Sequence, residues 1–155
     1  MSRFGTFLDV KRRKAAYRKV SDRVKDYEEV ATRRSETHAI EQASRCIGCG
    51  VAFCHQTCPL GNYIPEWNLH MTGDQWEDAI RTLHATNNLP EITGKICPAP
   101  CEASCVLARN DDPVTVRENE LDIIEGAFKR GLVIPRPPKK RTGESVAVVG
   151  SGPAG

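Results

Sequence analysis

Seven cysteines, Cys46, Cys49, Cys54, Cys58, Cys97, Cys101 and Cys105, fall in two tight groups, C-x2-C-x4-C-x3-C-P and C-P-x2-C-x3-C, separated by residues 59–96. A thiolate every third or fourth residue around a glycine-bearing loop can wrap one compact inorganic core, because short loops gather sulfurs without a large closure cost. Pro59 and Pro98 each follow a cysteine, as in bacterial ferredoxin runs, where proline ends the loop and the last thiolate crosses to a second cluster. The competing chemistry is zinc, which would make this a non-redox interaction domain. Four-thiolate zinc sites are usually built from two C-x2-C pairs, and only Cys46 and Cys49 form such a pair. Iron–sulfur ligation is therefore the stronger expectation. Seven sulfurs serve one four-ligand cluster with three left over, or two clusters with one ligand missing, and the second count wastes nothing.

Other chemistry-bearing residues are sparser. His55 lies between Cys54 and Cys58, yet with thiolates at hand it reads as a loop or surface residue that tunes potential by hydrogen bonding. Neither a nucleophile–base pair nor paired catalytic carboxylates stand out, so no catalytic residue is assigned. At the far end, Val146–Gly155 reads as a β-branched strand running into Gly150, Gly152 and Gly155, the G-x-G-x-x-G pattern that lets a backbone approach a pyrophosphate. The anion site of that motif needs the following helix, so these residues alone should not bind a dinucleotide.

The elements that must position the cysteines are short and helical. Ser35 to Arg45 reads as a helix ending at the first cysteine, with Ile40 and Ala43 on one side and Glu41 and Gln42 turned away. The first cysteine group reads as a glycine-containing loop. A helix around 64–71 carries Pro65 in its first turn and Gly73 at its end. Asp74 and Glu77 have capping-box spacing before Trp76, Ala79, Ile80 and Leu83, which predicts a helix over 75–85 with a buried Trp stripe. A short helix starts near Glu102, and a last one spans 117–129, burying Leu121, Ile124 and Phe128. Residues 135–144, PRPPKKRTG and its flank, form a stiff basic connector.

Composition bounds the rest. At 155 residues, with 6% aromatics, the core is modest, and something besides apolar burial should hold it. No apolar stretch reaches the ~18–20 residues of a membrane span. No signal core follows the basic N-terminus, and the cysteine count is odd, so a cytoplasmic, metal-ligating chain is expected rather than a disulfide framework. Residues 1–34 hold eleven Lys/Arg against five Asp/Glu. With only a weak helical pattern (Tyr17, Val20, Val24, Tyr27) they read as a basic docking arm facing a protein partner. No nucleic-acid module is recognisable.

RCIGCGVAFCHQTCPLGNYIPEWN, TNNLPEITGKICPAPCEASC and DPVTVRENELDIIEGAF together resemble the N-terminal iron–sulfur domain of the small (beta) subunit of NADPH-dependent glutamate synthase, a domain shared with dihydropyrimidine dehydrogenase and NADPH:ferredoxin flavoproteins. The resemblance implies a mainly α, ferredoxin-like domain over 35–134 with two [4Fe-4S] clusters, followed at 145–155 by the start of an FAD-binding Rossmann domain. It further implies that Cys46, Cys49, Cys54 and the distant Cys105 hold one cluster. Cys58 would cross to the other with Cys97 and Cys101. The family's eighth ligand is a polar side chain on the helix after the last cysteines, which maps here to Glu120. That residue shares a helical face with Ile123, Ile124 and Ala127, while Glu118 and Asp122 point elsewhere. The implied function is electron transfer from NADPH through FAD to a large (alpha) subunit that makes glutamate from glutamine and 2-oxoglutarate. A pyrimidine-reducing relative is the alternative.

Overall fold

A computed structural model describes residues 6–153. After the short helices α1 (Thr6–Asp9) and α2 (Val20–Arg23), the body consists of α3 (Glu36–Ala43), α4 (Phe53–Thr57), α5 (Ile64–Thr72), α6 (Trp76–His84), α7 (Pro90–Ile96), α8 (Pro100–Ala103), a 3-10 turn (Val106–Arg109) and α9 (Val116–Lys129). Pairing of extended chain among the described residues is limited to one bridge, Tyr17 with Ala31. The fold is mainly helical, as the sequence implies.

Several body helices are placed by an identifiable signal. Ser35 caps α3, its hydroxyl accepting from the His38 N–H, which satisfies one of the open donors of a helix start. Pro65 and Pro90 occupy first turns, where a missing N–H costs nothing. α6 buries Trp76, Ala79, Ile80 and Leu83, the stripe its spacing predicts. Its start differs from expectation. The capping residue is Gln75 without a side-chain bond, because Asp74 sits in the left-handed region and accepts instead from the Trp76 indole N–H at 2.7 Å.

α9 is the axis of the body, contacting α3, α5, α6, α7 and α8. It begins at Val116 and buries Asn119, Glu120, Ile123, Ile124 and Ala127. The buried stripe is thus rotated from the one expected: Ile124 is inside, but Phe128 is half exposed and Leu121 only partly buried. The rotation follows from α7, which crosses α9 so closely that a Cβ on Gly94 would stand 2.9 Å from the Leu121 Cβ. α3 also differs in one respect. Gln42 is buried rather than turned away, because its amide donates to the Lys11 carbonyl at 3.1 Å and its oxygen accepts from the Arg13 N–H at 2.8 Å.

That pair belongs to a seam along which residues 10–34 lie against the helical body. Arg12 pairs with Glu102, Ala15 N–H donates to Glu118, and the buried Arg34 reaches Thr115, Asn119 and Asp122 on or beside α9. Of the basic residues in this segment, Arg12, Arg13, Arg33 and Arg34 pair with carboxylates of the helical body. The apolar residues Tyr17, Val20, Val24 and Tyr27 do not form one helix and are exposed. At the other end, Val146, Val148 and Val149 are exposed and form no strand, since a parallel strand needs neighbours to receive its hydrogen bonds and side chains.

Candidate metal centre

The end of α3 delivers the first thiol: Cys46 N–H bonds the Ala43 carbonyl at 3.0 Å, and Gly48 at φ +63° turns the chain toward Cys49. The expected loop contains a helix, α4, with Cys54 in its first turn and Cys58 as its C-cap. Cys97 caps the end of α7. Ala99, left-handed at φ 57°, bends the chain into α8, which carries Cys101, and Cys105 follows before the 3-10 turn. α4 packs against α8, so the two groups, far apart in sequence, meet across that contact. All seven thiols are free of disulfides.

Cys46, Cys49, Cys54 and Cys105 line one small apolar cavity walled by Phe53 and Ile64. Burial pushes Cys46 up to about 11 and Cys54 up to about 12, and it raises Cys49. Cys105 adds like charge to all three. Burial likewise pushes Cys101 up to about 12, with Glu102, Cys58, Cys97 and Cys54 adding to it. Cys54, which lines the cavity of the first group, thus also bears electrostatically on Cys101. Backbone N–H groups counter the burial: that of Gly48 bears on Cys46, that of Cys49 on its own sulfur and that of His55 on Cys54. The Asn68 amide adds to Cys46, and Ala99 N–H lies 3.4 Å from Cys97 Sγ. Donors aimed at buried sulfurs favour the thiolate form. Only a cationic core would let so many neighbouring thiols ionise together, so the donor set fits iron–sulfur clusters. The first group of thiols, with Cys105, surrounds the small cavity rather than meeting at one point.

Glu120 is buried on the face of α9 shared with Ile123, Ile124 and Ala127. Burial raises its carboxyl, while bonds from Thr93 and Asn87 and the charge of Arg117 pull the other way. Asn87 Nδ2 donates at 3.1 Å and the Thr93 hydroxyl also donates, both to Oε1. Thr93 lies one turn of α7 before Cys97, whose N–H bonds the Thr93 carbonyl at 2.9 Å. Thr93 and Asn87 were not legible as site residues; a buried asparagine beside a proline-started helix is their only sequence signal. His55, on α4, stacks on Tyr63 with ring centroids 5.4 Å apart and meets the Asn62 carbonyl through Nδ1 at 3.1 Å. Gly150 and Gly152 belong to the exposed C-terminal stretch. Gly155 lies outside the described residues.

Comparison with known proteins agrees with this picture. The family described as dihydropyrimidine dehydrogenase domain II, 4Fe-4S cluster, matches residues 23–131. The chain is 54% identical over 152 residues to the glutamate synthase [NADPH] small chain of Mycobacterium tuberculosis (strain CDC 1551 / Oshkosh), covering 97% of this chain and 31% of that protein. It is 45% identical to the corresponding small chain of Bacillus subtilis (96% and 32%) and 42% identical to glutamate synthase [NADH] of Schizosaccharomyces pombe (96% and 7%). It thus spans about a third of the length of its bacterial relatives or less. With seven free thiols gathered by short helices and a family match over most of its length, the chain belongs to the 4Fe-4S cluster family of dihydropyrimidine dehydrogenase domain II.

Proposed function

We propose that this chain is the electron-transfer module of an NADPH-dependent flavoprotein of the glutamate synthase small-subunit type, and that it holds two [4Fe-4S] clusters. Cys46, Cys49, Cys54 and Cys105 hold the first, while Cys58, Cys97, Cys101 and Glu120 hold the second. The observation that carries this reading is the cavity where Cys105 joins the thiols of the first group, while Cys58 and Cys97 act together on Cys101. Glu120 supports the eighth place, because both its hydrogen bonds fall on Oε1 and Oε2 carries neither. Such outer bonds orient a ligand toward its metal.

Each cluster, when bound, accepts and passes on one electron. The protein supplies N–H donors that stabilise thiolate, apolar walls that exclude water, and one oxygen ligand harder than sulfur. In the full-length protein the source would be NADPH through FAD, with the glycines at 150, 152 and 155 opening the flavin-binding fold. The destination would be the site of a large subunit that makes glutamate from glutamine and 2-oxoglutarate, and the setting would be the cytoplasm. A pyrimidine-reducing flavoprotein is the second reading, favoured by the family description, whereas the 54% identity favours glutamate synthase.

Anaerobic reconstitution tests the proposal. A brown protein with about eight irons and eight sulfides per chain is expected for two four-iron clusters. A colourless protein that takes up zinc and no sulfide would overturn it.

A further inference from the structure

We infer that Arg45 is a built-in counter-charge for the first thiol set and raises the reduction potential of the cluster held there, an inference that rests on the ligand reading above. Arg45 immediately precedes Cys46 in the chain, and its side chain is 0% exposed. Nη2 donates to the Asp112 carbonyl at 2.7 Å and lies 3.8 Å from Asp111 Oδ2. Nε and Nη1 are buried without any hydrogen-bond partner. A guanidinium does not escape burial by losing its proton, so the fold retains a cation that its own groups do not satisfy. The carboxylate paired with it is shared, since Lys11 Nζ stands 3.9 Å from the same Asp111 oxygen and that carboxylate is partly open to solvent; Asp112 bears on it from farther off. The Cys105 thiolate is among the charges acting on Arg45, which places the guanidinium within electrostatic reach of the cavity.

The physical consequence runs through charge. Four thiolates outweigh the positive charge of a four-iron core, and reduction adds one electron without a proton, so the reduced site is more negative by one charge. A fixed cation nearby in a weakly screening interior stabilises that form over the oxidised one. An arginine that merely ties residues 111 and 112 to the end of α3 would stabilise both forms alike. The two roles therefore separate on a potential and not on stability.

The test uses the full-length protein, reconstituted with iron and sulfide and titrated with dithionite under electron paramagnetic resonance. The first cluster's signal is the one lost in Cys46→Ser. Arg45→Met should lower that cluster's reduced-to-oxidised ratio at a fixed poise by about tenfold, or about 59 mV for one electron, and leave the second cluster within a small fraction of that. Arg45→Lys should restore most of the shift. If Arg45→Met does not load iron, Asp111→Asn carries the test: removing the compensating anion should raise the same potential. A potential unmoved in the loaded variant, or a fall in Asp111→Asn, overturns the role of Arg45 while leaving the clusters in place. A wild-type protein that takes up no iron and sulfide overturns both the cluster reading and this inference.

Discussion

At the scale of single residues, the ligand assignment makes two substitutions behave differently although their sites lie only fifteen positions apart in sequence, Cys105 and Glu120. Cys105 lines the cavity of the first group, so Cys105→Ser should strip the first cluster and spare the second. Glu120 is held one turn from Cys97, so Glu120→Ala should disturb only the second. Iron counts and paramagnetic spectra of the two variants decide this; the same spectrum lost in both would sink the crossed arrangement. Thr93→Val adds a finer test. It removes one of the two bonds that fix Oε1, and loss of such an outer partner typically weakens metal affinity by about 10–100-fold. The second cluster should therefore become easier to remove with a chelator while the first keeps its wild-type resistance.

At the scale of elements, the junction between the N-terminal segment and α9 has one buried guanidinium at its centre, flanked by the Arg33–Glu125 pair and the Ala15 N–H to Glu118. Arg34 is about 1% exposed, with Glu118 and Asp122 as carboxylate neighbours. Its Nη1 donates to Thr115 at 2.9 Å, Nη2 to Asn119 at 2.8 Å and Nε to Asp122 at 2.8 Å. Burial pushes Asp122 up to about 6, with Arg34 pulling it down. Arg34→Met should cost about 3–5 kcal/mol near neutral pH, the usual result of leaving a buried partner charge uncompensated. The sign of the pH dependence follows from the raised carboxyl. Asp122 binds a proton more tightly in the fold than in the unfolded chain, so its own contribution to stability falls as pH rises from about 4 through 6. Without Arg34 its value rises further, and the extra cost exists only where Asp122 would be ionised. The urea midpoint of Arg34→Met should therefore lie far below wild type at pH 7.5 and closer to it at pH 5; an equal gap at both would refute the pairing. Much of this was legible in the sequence where a local signal sufficed: Pro65 and Ser35 mark helix starts, and the α6 stripe is inside, whereas NNLPEITGK, which reads as a loop, folds from Pro90 as α7. The tuning of α9 was not, because its inward face is set by Gly94 and α7 rather than by its own periodicity, and Phe128 is left half exposed. Gln42 and Asp74 were misplaced for a similar reason. Each is claimed by a partner, the Lys11–Arg13 backbone or the Trp76 indole, that no spacing rule announces. The cysteine groups were legible because cluster chemistry writes itself into short loops; Thr93 and Asn87 were not, because outer partners come from another element.

At the scale of the whole molecule, the large apolar side chains concentrate away from the α4–α8 lobe that carries most of the thiols. The core gathers on α5, α6 and α9, with Trp67, Met71, Leu83, Ile123 and Ile124 among its fully buried members; a side chain of that kind contributes about 1.5–3 kcal/mol. The α4–α8 lobe has almost none of this. α4 buries no residue, α8 buries only Cys101, and Phe53 is half exposed. Apart from the Arg12–Glu102 pair and the Ser104 hydroxyl donating to the Phe53 carbonyl at 3.3 Å, what is left to bind that lobe is its thiols, of which Cys54 and Cys101 are each pushed up to about 12, chiefly by burial. Metal ligation is then folding energy for this part of the chain and much less so for the rest. Removing iron anaerobically with a chelator should accordingly divide the protein in two. Amides whose bonds lie in the lobe, such as Cys58 N–H to the Cys54 carbonyl and Glu102 N–H to the Ala99 carbonyl, should lose hydrogen-exchange protection first. Amides that close α6 and α9, such as Ala79 N–H to Gln75 and Arg130 N–H to Gly126, should keep most of theirs, because the side chains that shield them are mainly apolar, with Cys101 and Glu120 the buried ligands among them. Uniform loss of protection would mean that the clusters hold the entire fold. Unchanged protection in the lobe would mean that α4 and α8 are held by contacts other than metal.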